Sequence, residues 1–194
     1  LAEKARLLRL HGAKPKYYHH LIGANFRMDS LQAAFLSVKA ARYADYTEAR
    51  CRNAADYTEQ LLGIPGVRVA DPSQCGCAEP ATPTQEEDAR LILPVSYPHN
   101  THIWNQYTIR VPGAGRREAL RTHLQSKGIG TEIYYPVPLH AQPCFAGVSS
   151  SSFPVSDRLA SEVLSLPIFP ELTEAQRAEV VSAIREFLER KVSE

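Results

Sequence analysis

A helical pattern that continues from residue 29 to residue 62 is the feature that most constrains the fold of this chain. Its first turns carry apolar side chains at the i, i+3, i+4 and i+7 spacing of one helix face, namely Leu31, Ala34, Phe35 and Val38. Asp29 stands at the position of an N-cap, and Gly63 and Pro65 end the pattern. Because one face of such a helix is apolar, it must pack on another element. We therefore predict a long linking helix over residues 29–62 that braces one domain and leads to the next.

The chain differs in character before and after this helix. Residues 1–28 predict the end of a helix and then a polar, aromatic connection, with Gly12 as the helix stop. Residues 63–94 predict a loop or an insertion, since residues 71–90 contain three prolines and few large apolar side chains. Residues 95–194 remain as a candidate small domain.

Strand and helix patterns follow one another within residues 95–194. Apolar and polar side chains alternate over residues 103–111 and again over 129–135, which predicts two strands. A helix is predicted between them over 116–127, and a closing amphipathic helix begins with a capping-box pattern at Thr173. Strand, helix, strand and terminal helix predict a small two-layer α+β domain.

Composition limits the classes of partner and compartment. The 194 residues are 44% apolar and 22% charged, with a net charge of +1, which is typical of a globular protein. This charge gives no field that would attract nucleic acid or an anionic membrane, and no apolar run approaches the ~20 residues needed to span a bilayer. We therefore expect a cytoplasmic protein with no nucleic-acid or membrane partner. Because the chain begins with Leu1 rather than Met, we also expect a fragment or a processed form.

The cysteines do not form a metal-ligand pattern. The chain has Cys51, Cys75, Cys77 and Cys144. One residue separates Cys75 from Cys77, which is shorter than the usual paired zinc-ligand spacing, and no matching pair of His or Cys follows. We expect reduced thiols and no metal site.

Polar and aromatic residues crowd the entrance of the predicted helix in the stretch KYYHHLIGANFRMDSLQAAFL, residues 16–36. Gly12 and Gly23 allow close approach of the backbone. Asn25 and Arg27 offer donors beside a helix start, where unbonded N–H groups and the helix dipole favour an anion such as phosphate. The stretch alone leaves a second interpretation open, in which Asn25 bonds to its own loop and Arg27 pairs with an aspartate.

A second candidate site is the segment GIGTEIYYPVPLH, residues 128–140. Pro136 and Pro138 stiffen the chain after the predicted strand, which holds Tyr135 and His140 in fixed places. Tyr and His side chains suit hydrogen bonding to a hydroxyl-rich or phosphorylated ligand. The same residues fit a second interpretation, an aromatic strand of the core with a histidine whose hydrogen bonds are made within the protein. The segment alone does not distinguish this interpretation from a ligand-binding site.

Four motifs follow one another along the chain. They are HG-x-x-x-KY-x-H-x-x-x-G-x-N-x-R-M-D-S-L-Q-A-A, HIWNQYTIRV, GIGTEIYYPVPLH and FPVSDRLASEVLSLPIFPELT. Together they resemble the sugar aminotransferases of the DegT/DnrJ/StrS family, and the resemblance covers nearly the whole chain except residues 71–90. It implies an α/β and α+β fold, that of a fold-type I, aspartate-aminotransferase-like enzyme that uses pyridoxal 5′-phosphate (PLP). This chain would be its C-terminal part, with a small α+β domain and the linking helix.

The resemblance also implies an activity and partners. Members of the family form amino groups on nucleotide-linked keto-sugars, usually with glutamate as the donor. The YYPVPLH form is closest to members that aminate C3 of the sugar. Residues 1–28 would end the large PLP-binding domain and face the partner subunit of a homodimer, whose sites are shared between subunits.

Site residues follow from the same resemblance. Asn25 would reach from one subunit to the PLP phosphate bound by its partner. The residues expected to bind the sugar substrate or to shape its pocket are Tyr17, His19, Arg27, Tyr135 and His140. No catalytic residue is expected in this chain, because the family's Schiff-base lysine lies before the segment that matches Leu1. Since the chemistry needs that amine, this chain alone is expected not to turn over.

Three functions stay open on the sequence alone. The first is a PLP-dependent aminotransferase acting on a nucleotide sugar. The second is a PLP-dependent sugar dehydratase of the same family, in which a histidine replaces the lysine. The third is an inactive, truncated homologue that binds a sugar or a partner. Because the resemblance packs the helix over 29–62 on a domain that this chain lacks, we expect the isolated chain to self-associate. Only residues from about 95 to 194 are expected to fold alone.

Overall fold

The computed structural model describes residues 1–15, 18–70, 89–97, 99–143 and 152–190. Its helices and strands, in chain order, are α1 (Ala2–Leu8), α2 (Ser30–Ala40), α3 (Tyr43–Leu62), β1 (Val67–Val69), β2 (Leu91–Leu93), β3 (Tyr107–Arg110), α4 (Arg116–Ser126), α5 (Pro154–Glu162), β4 (Val163–Leu166) and α6 (Glu174–Glu189). A short 3₁₀ helix, Leu139–Ala141, lies between α4 and α5. The chain forms two compact units, Leu1–Ala44 and Asp45–Glu194. Within the described residues, no helix combines the length and the apolar character that crossing a membrane requires.

Two glycines shape the loop that joins α1 to α2 in the first unit. The N–H of Gly12 donates to the carbonyl of Leu7 at 2.8 Å, just after α1 ends. A Cβ on Gly12 would lie 1.9 Å from the carbonyl oxygen of Leu21, and one on Gly23 would lie 2.4 Å from that of Leu8. The prediction that both glycines allow close backbone approach is therefore confirmed.

The helix predicted over residues 29–62 is two helices in the structure. Ala41 and Arg42 form a turn between α2 and α3. The N–H of Arg42 bonds at 3.0 Å to the carbonyl of Lys39, three residues back, so the four-residue ladder of the helix is interrupted. No glycine or proline stands at this turn, which is why the sequence pattern runs through it without a break.

The second unit is built on a four-stranded sheet in the order β1-β2-β3-β4. β1 and β2 are parallel, with Val67 opposite Leu91, and β3 is antiparallel to both β2 and β4. All three residues of β2 are buried, which fits its uniformly apolar sequence. In β3, the buried Tyr107 and Ile109 alternate with half-buried neighbours. The sheet therefore contributes one part of the apolar core of this unit, and the helices α3, α4 and α6 contribute the larger part.

The interpretation of residues 63–94 as a loop or insertion is wrong at both ends, where β1 and β2 lie. Each strand has three residues, too few to show the alternation that reveals a strand. Residues 71–88 lie outside the described part of the chain. The small domain also begins earlier than residue 95, because the compact unit starts at Asp45 and Tyr57 of α3 is fully buried in its core.

Both strands predicted in the second unit are shorter than their patterns. The alternation over residues 103–111 gives only β3, because Trp104 takes a φ of +50° and so leaves the extended backbone. Within residues 129–135, Glu132 forms an isolated bridge to Ser165 rather than a strand.

The helices of the second unit match the sequence more closely. α4 falls within the predicted span of 116–127, with Leu120 and Leu124 fully buried. Thr173 and Gln176 form the predicted capping box at the start of α6. Neither α5 nor β4 was predicted from the sequence pattern. In β4, three of four residues are buried, so the strand shows no alternation.

Candidate functional site

An exposed group of polar side chains lies on the loop between α1 and α2. The loop folds back on itself through the bridges Leu10–Asn25 and Ala13–His19. Nε of Arg27 donates a hydrogen bond to Oδ1 of Asn25 at 2.5 Å. Two of the predicted ligand-binding residues therefore lie side by side at the surface, and we call them the Asn25–Arg27 pair.

The chemistry of the Asn25–Arg27 pair suits an anion. Their mutual bond uses one of the five guanidinium N–H groups and leaves the amide N–H groups of Asn25 unused. Within the described residues, Arg27 forms no ion pair with an aspartate. A planar guanidinium can hold two phosphate oxygens at once, and a neighbouring amide can donate to a third. The pair can therefore bind a phosphate.

Asp29 closes the N-terminus of α2 directly after the pair. Its Oδ1 accepts a hydrogen bond from the N–H of Leu31 at 2.8 Å, so the predicted N-cap is confirmed. The carboxylate therefore occupies the positive end of the helix dipole. The cap engages only the N–H of Leu31, so the expectation that unbonded N–H groups of this helix attract an anion stays a prediction. The Asn25–Arg27 pair adds side-chain donors at the same place.

His19 is held by the same loop. Its Nδ1 lies 2.9 Å from the carbonyl oxygen of His11. Because a carbonyl only accepts, Nδ1 carries the proton, which leaves Nε2 of the neutral ring as an acceptor. The side chain is exposed, so this acceptor is open to a ligand. Tyr17, the other residue predicted here, lies outside the described residues.

Tyr135 and His140 lie in the second unit, between α4 and α5. Tyr135 is 73% exposed and packs edge to face on Tyr134, with ring centroids 5.8 Å apart. Nε2 of His140 lies 2.9 Å from Oδ1 of Asp157, and its ring centroid lies 4.8 Å from that of Phe153. His140 is thus fixed by the first turn of α5, whereas the Tyr135 hydroxyl faces solvent. The two predicted residues contact different neighbours.

An open cleft in the second unit, which includes Tyr134 next to Tyr135, is not predicted by any sequence motif. It has a volume of ≈ 360 Å³ and is lined by Tyr134 and by three segments, residues 105–106, 130–132 and 165–168. The segments are far apart in the sequence and meet only in the fold, so no local motif signals them. We refer to this feature as the 105–168 cleft.

Cysteine and metal-ligating residues add no further candidate in the described ranges. Cys51 is a reduced thiol whose Sγ–H donates to the carbonyl of His102. No group of three or more His, Cys, Asp or Glu side chains in the described part of the chain could hold a metal ion. Cys75, Cys77 and Cys144 lie outside that part.

Comparison with known proteins adds an independent line of evidence. Residues 1–185 match the model of the DegT/DnrJ/EryC1/StrS aminotransferase family. A protein of Geobacillus stearothermophilus named pleiotropic regulatory protein is 43% identical over 189 residues, which cover 96% of this chain and 44% of the relative. The dTDP-3-amino-3,4,6-trideoxy-alpha-D-glucose transaminase of Streptomyces venezuelae is 36% identical over 192 residues, covering 98% of this chain and 44% of the relative.

A solved structure shares the fold. The crystal structure of S. venezuelae DesV in complex with a ketimine intermediate matches this chain with a TM-score of 0.79 at 35% sequence identity. The match covers 98% of this chain and 44% of that protein. The chain thus spans less than half the length of the relatives that it matches.

Proposed function

Since this chain belongs to the DegT/DnrJ/EryC1/StrS aminotransferase family, we propose that it forms the C-terminal portion of an enzyme that transfers an amino group to a nucleotide-linked keto-sugar. The family predicted from the four motifs is confirmed, and so is the fold class, part of a fold-type I transferase. The observation that carries the proposal is the match of residues 1–185 to this family. The 36% identical relative, whose name is that of a dTDP-sugar transaminase, supports it.

The proposed substrate is a nucleotide-linked 3-keto-sugar, and the proposed amino donor is glutamate. The transaminase of S. venezuelae is named for a sugar with an amino group at C3, which agrees with the C3 specificity that the YYPVPLH segment implies. A sugar of this kind presents hydroxyl groups, a carbonyl and a diphosphate. The exposed donors and acceptors of the described site residues suit such a ligand.

The proposed cofactor is PLP, which when bound supplies the carbonyl that carries the amino group from donor to acceptor. The Asn25–Arg27 pair fits its phosphate, because both side chains are exposed donors that lie together. Two lysines are already engaged, since Lys14 pairs with Glu3 at 2.8 Å and Lys127 with Glu186 at 2.6 Å. The described residues therefore fit the phosphate end of the cofactor, and we assign to this chain the holding of that phosphate.

The remaining predicted residues, which are proposed to bind and orient the sugar, are Tyr17, His19, Tyr135 and His140. Arg27, which the family resemblance places at the substrate, is proposed instead to hold the phosphate together with Asn25. The Asp157 carboxylate fixes the ring of His140, so that this side chain presents one orientation to a ligand. The Tyr135 hydroxyl, which faces solvent, can donate to a sugar hydroxyl or accept from it.

The surface of α2 supports a partner for the first unit. Leu31 and Phe35 are each 64% exposed and Val38 is 74% exposed, and none of the residues of α2 is buried within this chain. An apolar face of this kind is normally covered by another protein surface. We propose that the remaining part of the complete protein covers this face, and that the complete protein is a cytoplasmic homodimer whose sites are shared between subunits.

An amino-transfer assay tests the proposal. The complete gene product that carries this chain is incubated with PLP, L-glutamate and dTDP-3-keto-6-deoxyglucose, and 2-oxoglutarate is measured. Because glutamate first gives its amino group to the cofactor, some 2-oxoglutarate forms without an acceptor, and we expect amounts above the enzyme concentration only when the keto-sugar is present. dTDP-glucose, which has no keto group, is the matched control. Equal formation with both sugars, or none with either, would reject this activity.

A further inference from the structure

One face of α3 fixes the backbone that follows β4. Arg50, Asn53 and Tyr57 stand at positions i, i+3 and i+7 and so share this face. Their side chains donate hydrogen bonds to three successive carbonyl oxygens, those of residues 168, 169 and 167, at 3.0, 2.9 and 3.1 Å. Residues 167 and 168 line the 105–168 cleft. One wall of the cleft is therefore anchored to a helix rather than left to a mobile loop.

Arg50 also fixes a second segment of the cleft. The same Nη1 atom lies 3.3 Å from the carbonyl oxygen of Trp104 and 3.2 Å from that of Asn105. A single guanidinium thus ties residues 104–105 to the segment after β4. These hydrogen bonds order the walls of the cleft without a ligand, so binding of a ligand carries little further free-energy cost of ordering them.

The cleft presents polar groups that the fold does not use. The side-chain amides of Asn105 and Gln106 are exposed and make no hydrogen bond to another described residue. Oε1 of Glu132 accepts from the N–H of Ile133 at 3.1 Å, which leaves its second oxygen open. Oγ1 of Thr131 is buried and has no hydrogen-bond partner within the described residues. An unpaired buried hydroxyl costs free energy, and a small rotation of its side chain would let a ligand hydroxyl pair with it.

The lining chemistry selects the kind of ligand. Among the described lining residues, Glu132 is the only charged group, and none is Lys or Arg. A phosphate would therefore meet a carboxylate and no cation, which is unfavourable. A neutral ring with several hydroxyl groups would find amides, a hydroxyl and a carboxylate oxygen, all groups that pair with hydroxyls. The half-exposed ring of Tyr134 offers an apolar surface for the C–H face of such a ring.

We propose that the 105–168 cleft is a binding site for the hydroxylated ring of a sugar. Asn105, Gln106 and Glu132 form hydrogen bonds with the hydroxyl groups of this ring, and Arg50 holds the walls of the cleft in place. The inference rests on the proposed function for the sugar being part of a nucleotide sugar. The cleft holds the sugar moiety and not the diphosphate, which is left to other parts of the complete protein.

Binding of dTDP-glucose and of dTDP alone tests whether the cleft binds the sugar ring and not the diphosphate. Both are titrated by calorimetry into the complete gene product, without amino donor, and into its Asn105→Leu and Gln106→Met variants. Each variant approximately keeps the size of the side chain and removes its amide at an exposed position. Because each variant loses one hydrogen bond to the sugar, we expect its affinity for dTDP-glucose to fall about three- to tenfold. Its affinity for dTDP is expected to stay unchanged. The matched control is Asn100→Leu, the same change at an exposed residue outside the cleft, which is expected to leave both affinities unchanged.

The outcomes separate this inference from the proposed function. Unchanged binding of dTDP-glucose in both variants, or equal weakening of dTDP-glucose and dTDP with an unchanged thermal midpoint, would overturn the cleft assignment. Thermal midpoints of the variants are measured alongside, because a folding defect would weaken both ligands together. The binding test requires no turnover, so its result remains valid if the amino-transfer assay fails. Conversely, a negative binding test would not contradict the proposed amino transfer.

Discussion

Nε of Arg27 donates to Oδ1 of Asn25 at 2.5 Å, which joins the two residues into one binding unit on the surface of the first compact unit. The amide of Asn25 is neutral, so the charge of the guanidinium is not cancelled by this bond. A phosphate that approaches the pair therefore meets a full positive charge.

Asn25→Asp is expected to weaken PLP binding. The carboxylate keeps the shape of the amide, but it neutralises Arg27 and repels the phosphate. Loss of charge-assisted hydrogen bonds predicts about 10- to 100-fold weaker affinity for PLP, measured by fluorescence titration of the complete gene product. Asn100→Asp adds the same charge at an exposed turn residue and is expected to change little. Equal affinities for the two variants would show that the pair does not hold the phosphate.

Gly12→Ala is expected to disrupt the loop that carries this pair. Gly12 has a φ of +71°, and an added Cβ would lie 1.9 Å from the carbonyl oxygen of Leu21. The backbone must move apart, at a cost of about 1–3 kcal/mol. We expect a lower free energy of unfolding and weaker PLP binding together. Gly63→Ala, where φ is not positive and the nearest atom lies 3.4 Å away, serves as the control, and a similar loss in both variants would count against this account of the loop.

Arg177→Met tests the joint between α6 and α3. The guanidinium of Arg177 contacts the carboxylate of Asp56 and donates at 2.8 Å to both Oδ1 of Asn53 and the carbonyl of Leu172. Because this group is largely buried, its loss leaves several acceptors unpaired and is expected to cost about 2–4 kcal/mol. Arg52→Met removes an exposed i,i+4 pair and is expected to cost about 0–0.5 kcal/mol. Chemical denaturation of the two variants measures the difference, and similar values would refute the assigned role.

Alkaline pH is expected to destabilise the second unit through Tyr107. Burial raises the pKa of the Tyr107 phenol to about 12, although its hydrogen bond to Thr58 opposes this. Since the folded pKa lies above the unfolded value of about 10, the protonated phenol favours the folded state. That stabilisation is present below pH 10 and is lost as the pH rises through 12. Burial raises the pKa of the Tyr57 phenol as well.

Denaturation curves at several pH values between 9 and 11.5 test the alkaline prediction. The free energy of unfolding is expected to fall with pH in the parent protein and less steeply in Tyr107→Phe. Thr58 keeps a partner in that variant, since its hydroxyl also donates to the carbonyl of Ala54. Tyr18→Phe, at a 66% exposed position, is the control. A slope in Tyr107→Phe that matches the parent would rule out Tyr107 as the source.

Features decided by neighbouring residues could be predicted from the sequence. Asp29 and Thr173 cap their helices as expected, because a cap depends on a side chain and an N–H group two or three residues away. The close approaches at Gly12 and Gly23 are local in the same sense. The family was also predictable, since four motifs in one order carry far more information than any one of them.

Features decided by distant residues could not be predicted. The turn at Ala41 and Arg42 has no breaking residue, and β1 and β2 are three residues long. The 105–168 cleft brings together segments that are distant in the sequence, and the segment after β4 is bonded to Arg50, 118 residues earlier in the chain. The placement of Tyr17, and the meeting of sites across a subunit interface, stay predictions.

Transfer of ¹⁵N from labelled glutamate tests the central claim most directly. The complete gene product is incubated with PLP, [¹⁵N]glutamate and dTDP-3-keto-6-deoxyglucose, and the product is examined by NMR. The account predicts ¹⁵N bonded to C3 of the sugar ring. A product without ¹⁵N, such as a dehydrated sugar that keeps its nucleotide, would contradict it.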